Sequence, residues 1–89
     1  MIGLPLTATP ATRHDRGMNL TVELERESDG RWIAEVLELP GVLAYGATRE
    51  QAVGAAQALA FRVLADRIEH GEASPDSVAR VAFVTADAA

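Results

Sequence analysis

Two alternating stretches joined by an Asp-Gly turn constrain this chain more than any other feature. From Asn19 to Glu27, Leu20, Val22 and Leu24 alternate with Thr21, Glu23, Glu25 and Glu27, the period-two pattern of a strand with one buried and one wet face. A second strand is predicted from about Arg31 to Leu39. A two-residue Asp29-Gly30 turn would set Leu24 opposite Glu35 and mix the faces. A three-residue Ser28-Asp29-Gly30 loop sets Leu24 opposite Ala34, Val22 opposite Val36 and Arg26 opposite Trp32, with Gly30 in the left-handed position that such loops need. Matching faces select the three-residue loop. This register puts Trp32 in the core and leaves Ile33 and Leu37 on the opposite face, among Glu23, Glu25, Glu35 and Arg31, where two apolar side chains require a cover.

Pro40-Gly41 forces a corner, because proline fixes φ and cannot donate to a ladder while glycine tolerates the turn. A short third strand, Val42 to Tyr45, ends at Gly46. Thr48 and Gln51 form a capping box for a helix. Its apolar positions Ala52, Val53, Ala56, Leu59, Ala60, Val63, Leu64 and Ile68 recur at three and four, giving a stripe that ends at Gly71. Alanines 52, 55, 56, 58 and 60 allow close approach to a sheet, with Trp32 and Phe61 as large fillers. After Ala73-Ser74-Pro75-Asp76, Val78 to Thr85 reads as a last strand. The expected fold is α+β in the order β-β-β-α-β: an antiparallel-rich sheet with one long helix on one face. Residues 1–17 mix Pro, Thr, Ala and Gly without periodicity and read as a disordered N-terminal tail. The folded domain then spans residues 18–86.

At 89 residues the chain has room for a single core, and a domain of this size buries only about 60% of its unfolded surface, so self-association is expected to help it. The formal charge is −5 and every cation is an arginine, none of them clustered, which argues against nucleic-acid binding and suits either ordinary solubility or a basic protein partner; charge alone does not choose between them. No cysteine is present, which excludes disulfides and thiolate chemistry and fits a cytoplasmic protein. The apolar runs are too short to span a bilayer, and Ile2 to Ala11, broken by Gly3, Pro5 and Pro10, lacks the basic leader of a signal peptide.

Catalytic machinery is not evident. His14 lies in the tail, and His70 sits where a cation favours a helix C-terminus. Glu23, Glu25 and Glu27 lie on one strand face and, with Glu35 opposite Glu23, could in principle chelate a divalent cation, but hydrolytic metal sites draw carboxylates from several elements into a cleft, so a solvated or partner-facing acidic surface is the better reading. Phosphate loops and nucleophile elbows are missing. No enzyme activity and no cofactor or metal are expected. Tyr45, at a strand end, reads either as the wet edge of the core or as an interface anchor.

The segments Ser28-Asp29-Gly30-Arg31-Trp32-Ile33-Ala34-Glu35, Leu39-Pro40-Gly41, Tyr45-Gly46 and Thr48-Arg49-Glu50-Gln51-Ala52 appear in that order, and the set resembles the core signature of the HicB antitoxin family over residues 18 to 84. The resemblance implies a degenerate RNase H-like domain that binds a small basic HicA-type mRNA interferase and occludes its catalytic histidine, as the antitoxin of a bacterial type II toxin-antitoxin module. An acidic antitoxin against a basic toxin is electrostatically sensible. Many family members carry a C-terminal DNA-binding domain; here Ala89 follows closely on the last strand, so direct DNA binding is not expected. Val42 and Ala44 stand where the family commonly has cysteine and a hydroxyl residue, Gln51 replaces a glutamate and Ala55 a frequent asparagine. The alternative is a solitary HicB-like oligomerisation or regulatory module without a toxin. Expected partner-binding residues are Glu23, Glu25, Ile33, Glu35, Leu37 and Tyr45, and the expected assembly is a homodimer or higher homo-oligomer.

Overall fold

A computed structural model describes residues 17–87. The expected tail, residues 1–17, therefore lies outside the described residues except for Gly17. Four strands, β1 (Met18–Arg26), β2 (Trp32–Val36), β3 (Leu43–Gly46) and β4 (Val81–Asp87), and one long helix, α1 (Arg49–Glu69), follow in the order β-β-β-α-β. The sheet is mixed, with spatial order β3-β2-β1-β4: β2 is antiparallel to β1 and β3, while β4 runs parallel to β1.

The first hairpin has the register that face-matching selects, with Val22 opposite Val36, Leu24 opposite Ala34 and Arg26 opposite Trp32. Its turn closes through the Gly30 N–H donating to the Glu27 carbonyl at 2.9 Å and the Glu27 N–H donating to the Arg31 carbonyl at 2.7 Å, and Gly30 takes φ +94°. Asp29 clasps the turn: its carboxylate accepts the Arg31 N–H and pairs with the guanidinium at 2.8 Å.

Strand β2 ends at Val36, short of the expected Leu39. The chain turns there, with Leu39 N–H donating to the Val36 carbonyl and Val42 N–H to the Leu39 carbonyl, and Gly41 at φ +87°. Had β2 continued, strand alternation would have put Leu39 on the wet face. The turn swings it into the core instead, where it is buried.

The core lies between α1 and one face of the sheet. Leu20, Val22, Leu24, Ala34 and Val36 face Ala52, Ala56, Ala60 and Leu64, and these helix positions recur strictly every four residues. Alanine against Ala34 lets the axis approach closely over β3 and β2. Two expectations need correction. Ala55 and Ala58 point outward, because the contact line follows the i, i+4 row. Phe61 is no core filler: it is 53% exposed and meets Phe83 of β4 edge-on, with ring centroids 5.5 Å apart. Trp32 is half-buried at the margin of the core with the Arg26 guanidinium 6.0 Å from its ring centre.

Both helix ends close as the sequence requires. Thr48 Oγ1 accepts the Gln51 N–H, while Gln51 Oε1 accepts the Ala47 N–H, one residue ahead of a strict capping box. At the other end Gly71, at φ +72°, donates to the Ile68 carbonyl and Glu72 donates to the Arg67 carbonyl, the paired bonds of a Schellman motif. The last strand starts later than expected: Pro75–Val78 form a 3-10 turn capped by Ser74, and β4 then begins at Val81.

Candidate functional site

The sheet face opposite α1 is uncovered among the described residues, and it holds the expected partner-binding side chains. Cross-strand pairing puts Glu23 opposite Glu35, Glu25 opposite Ile33 and Ile33 opposite Tyr45. Leu37, one residue past β2, donates its N–H to the Thr21 carbonyl at 3.0 Å and so continues the alternation on this same side, 48% exposed. All six expected residues thus belong to one surface, and five of them are neighbours in the ladder.

Leu43 and Val84 were not anticipated. Leu43 pairs with Glu35 and is exposed beside Tyr45, a placement readable from alternation along the third strand. Val84, 57% exposed, reaches this face because β4 pairs with β1 so that Val84 sits beside Thr21. Nothing local in the sequence specifies that pairing, since it depends on the crossover through α1.

The electrostatics of the face are one-sided. Like charges directly opposite in a sheet repel, yet Glu23 and Glu35 occupy such a pair and Glu25 lies diagonal to Glu35. Among the described residues none of the three has an ion-pair partner. The nearby cation, Arg31, is held by Asp29 and lies over the Tyr45 ring, 4.5 Å from its centre, which fixes the tyrosine at one edge of the patch. Glu38 borders the other end: its carboxylate accepts both the Thr21 N–H at 2.7 Å and the Thr21 hydroxyl at 2.8 Å. It takes the place of the main-chain acceptor that β2 would have supplied had it run on. The Thr21 N–H, more than the hydroxyl, holds this carboxyl below the usual range, and the Arg31 N–H does the same for Asp29.

Among the described residues no three acidic or histidine side chains converge to hold a metal ion, and no enclosed pocket is present. No helix is long and apolar enough to cross a membrane. His70 lies on the exposed C-terminal turn of α1, its Nδ1 2.8 Å from the Asp66 carbonyl and 3.2 Å from the Asp66 carboxylate, far in sequence from the acidic face. His14 lies outside the described residues. What remains is a flat surface with an unneutralised acidic centre, bordered by Ile33, Leu37, Leu43 and Tyr45, and suited to contact with a macromolecule bearing complementary charge. In comparisons with known proteins, no family model, no curated protein and no solved structure matches this chain.

Proposed function

We propose that the outer sheet face binds a basic protein, and that the chain acts as an antitoxin of the HicB type, covering the active site of a small HicA-like mRNA interferase. The observation that carries this reading is the juxtaposition of Glu23, Glu25 and Glu35, without ion-pair partners among the described residues, with half-buried Ile33 and exposed Leu43 and Tyr45 on one face. A repulsive acidic pair lowers the stability of the free sheet, and a cationic partner would reverse that sign on binding. The β-β-β-α-β order, with β4 parallel to β1, supports reading the domain as a reduced RNase H-like unit. On this reading the domain works by occlusion rather than by catalysis, requires no cofactor and acts in the cytoplasm.

Co-expression with the neighbouring open reading frame tests the proposal. A toxic neighbour whose toxicity is relieved by this chain, and which co-purifies with it, supports the antitoxin; the double variant Glu23→Gln/Glu35→Gln should then lose protection. A harmless neighbour with no complex would sink the antitoxin reading.

A further inference from the structure

We propose that Asp29–Gly30 is a self-modification site: when the first hairpin opens, the Gly30 amide nitrogen attacks the Asp29 side-chain carboxyl and the linkage converts to isoaspartate, whereas in the folded domain Arg31 holds that reaction shut. The sequence contains one Asp-Gly pair, and it lies in this turn. Glycine carries no side chain to shield the attacking nitrogen. The turn is also open to water: Ser28 and Asp29 are exposed, and a Cβ built at Gly30 would meet nothing closer than Arg26 Nη2 at 4.0 Å.

The chemistry requires only water. The Gly30 nitrogen bonds to Asp29 Cγ and gives its proton to solvent, the carboxyl loses its hydroxyl as water, and a cyclic imide closes. Water then adds to one of the two imide carbonyls. Addition at the former main-chain carbonyl breaks the original Asp29–Gly30 bond and leaves the chain running through Cγ, while addition at Cγ restores aspartate. One water is lost and one regained, so mass and oxidation state do not change.

Hydrogen bonds of the folded turn oppose each step. The Gly30 N–H donates to the Glu27 carbonyl at 2.9 Å, which keeps the proton on the attacking nitrogen. Arg31 engages both carboxyl oxygens of Asp29: Oδ1 accepts its main-chain N–H at 3.0 Å and Oδ2 accepts its Nε–H at 2.8 Å. These donors favour the carboxylate, which has no hydroxyl to lose as water. The product matters at the scale of the sheet. An isoaspartyl linkage adds one atom to the main chain of the Ser28-Asp29-Gly30 loop and moves the carboxylate onto Cα, out of the clasp. Loop length sets the β1–β2 register, and that register brings Glu23 opposite Glu35 and Glu25 opposite Ile33. A chain that reacts while open thus loses the loop that assembles its outer face, whatever that face binds, so the inference does not rest on the antitoxin reading.

Ageing the full chain in heavy-oxygen water, followed by peptide mapping, is the test, because each passage through the imide inserts one solvent oxygen at Asp29. The folded wild type should take up label more slowly than the same chain in denaturant. Arg31→Ala, with a thermal melt showing that it stays folded during ageing, should label at least about threefold faster than the folded wild type, a factor within reach of an exposed charge pair. In denaturant the two chains should label at equal rates, since the clasp exists only in the fold. If Arg31→Ala unfolds, the milder Arg31→Lys decides: it keeps the charge but lacks the Nε–H that Oδ2 accepts, and should also label faster than wild type. The isoaspartyl chain, separated by ion exchange and refolded, should melt at a lower temperature. Label entering folded and denatured wild type equally fast, folded Arg31 variants that label at the wild-type rate, or an isoaspartyl chain with an unchanged melt would each overturn the proposal.

Discussion

Glu38 illustrates how one side chain completes what a strand leaves unfinished. Where β2 turns away after Val36, the Thr21 N–H loses its main-chain acceptor and the Glu38 carboxylate takes over. The bond favours the charged form and depresses the folded-state pKa. A depressed carboxyl contributes stability above its unfolded pKa, and that contribution is lost as pH falls through the folded value. Glu38→Gln should therefore lower the melting temperature near neutral pH and have progressively less effect as pH drops below the ordinary glutamate range. Thermal melts of both proteins across that range check it; curves that stay parallel down to acid would show that the carboxylate has no such role. Glu23 predicts the opposite sign. Its partner across the ladder is Glu35, so Glu23→Gln should leave stability unchanged or raise it by about 0.2–1 kcal/mol while weakening capture of a basic partner. Chemical denaturation paired with a binding titration separates the two effects.

At the scale of elements, the hairpin and helix were legible from the sequence because each is specified by residues close to one another. Alternation together with Gly30 determines the β1–β2 register, and Thr48, Gln51 and Gly71 delimit α1 within a residue or so. Reading faltered where geometry is collective. Nothing in the local pattern says that β2 stops at Val36 and throws Leu39 inward, or that the helix axis runs over β3 and β2 so that Phe61 emerges beside β4. The apolar periodicity of α1 is compatible with several rotations about its axis, and packing chose the one that aligns Ala52, Ala56 and Ala60 with the sheet. Ala56→Leu tests that choice. Adding a branched side chain where the backbones approach closely should cost roughly 1–3 kcal/mol, whereas Ala58→Leu, on the outward side, should be close to neutral. Equal losses at the two positions, measured by denaturant unfolding, would place the contact line elsewhere.

Among the described residues the sheet divides its labour by face and by edge: one face holds the core under α1, the other presents acid among apolar groups, and β4 forms one edge. The acidic face was legible in the sequence as far as β1 and β2 extend, since the register alone unites Glu23, Glu25, Ile33 and Glu35. Its full extent, reaching Leu43 and Val84, required the complete strand order. If this face binds a cationic protein, stability and binding should respond in opposite directions to a single charge change at its centre. Ile33→Lys provides that change. Ile33 is opposite Glu25 and next to the Glu23–Glu35 pair, so a lysine there relieves repulsion within the free sheet and should hold or slightly raise the melting temperature. The same lysine removes an apolar contact and cancels part of the field that attracts a basic partner, so affinity should fall by tenfold or more, and the residual binding should depend less on salt than that of the wild type. Isothermal titration at two ionic strengths, alongside thermal melts, checks both halves. Should Ile33→Lys unfold the domain, Ile33 would belong to the core; unchanged affinity and salt dependence would move the partner to another surface.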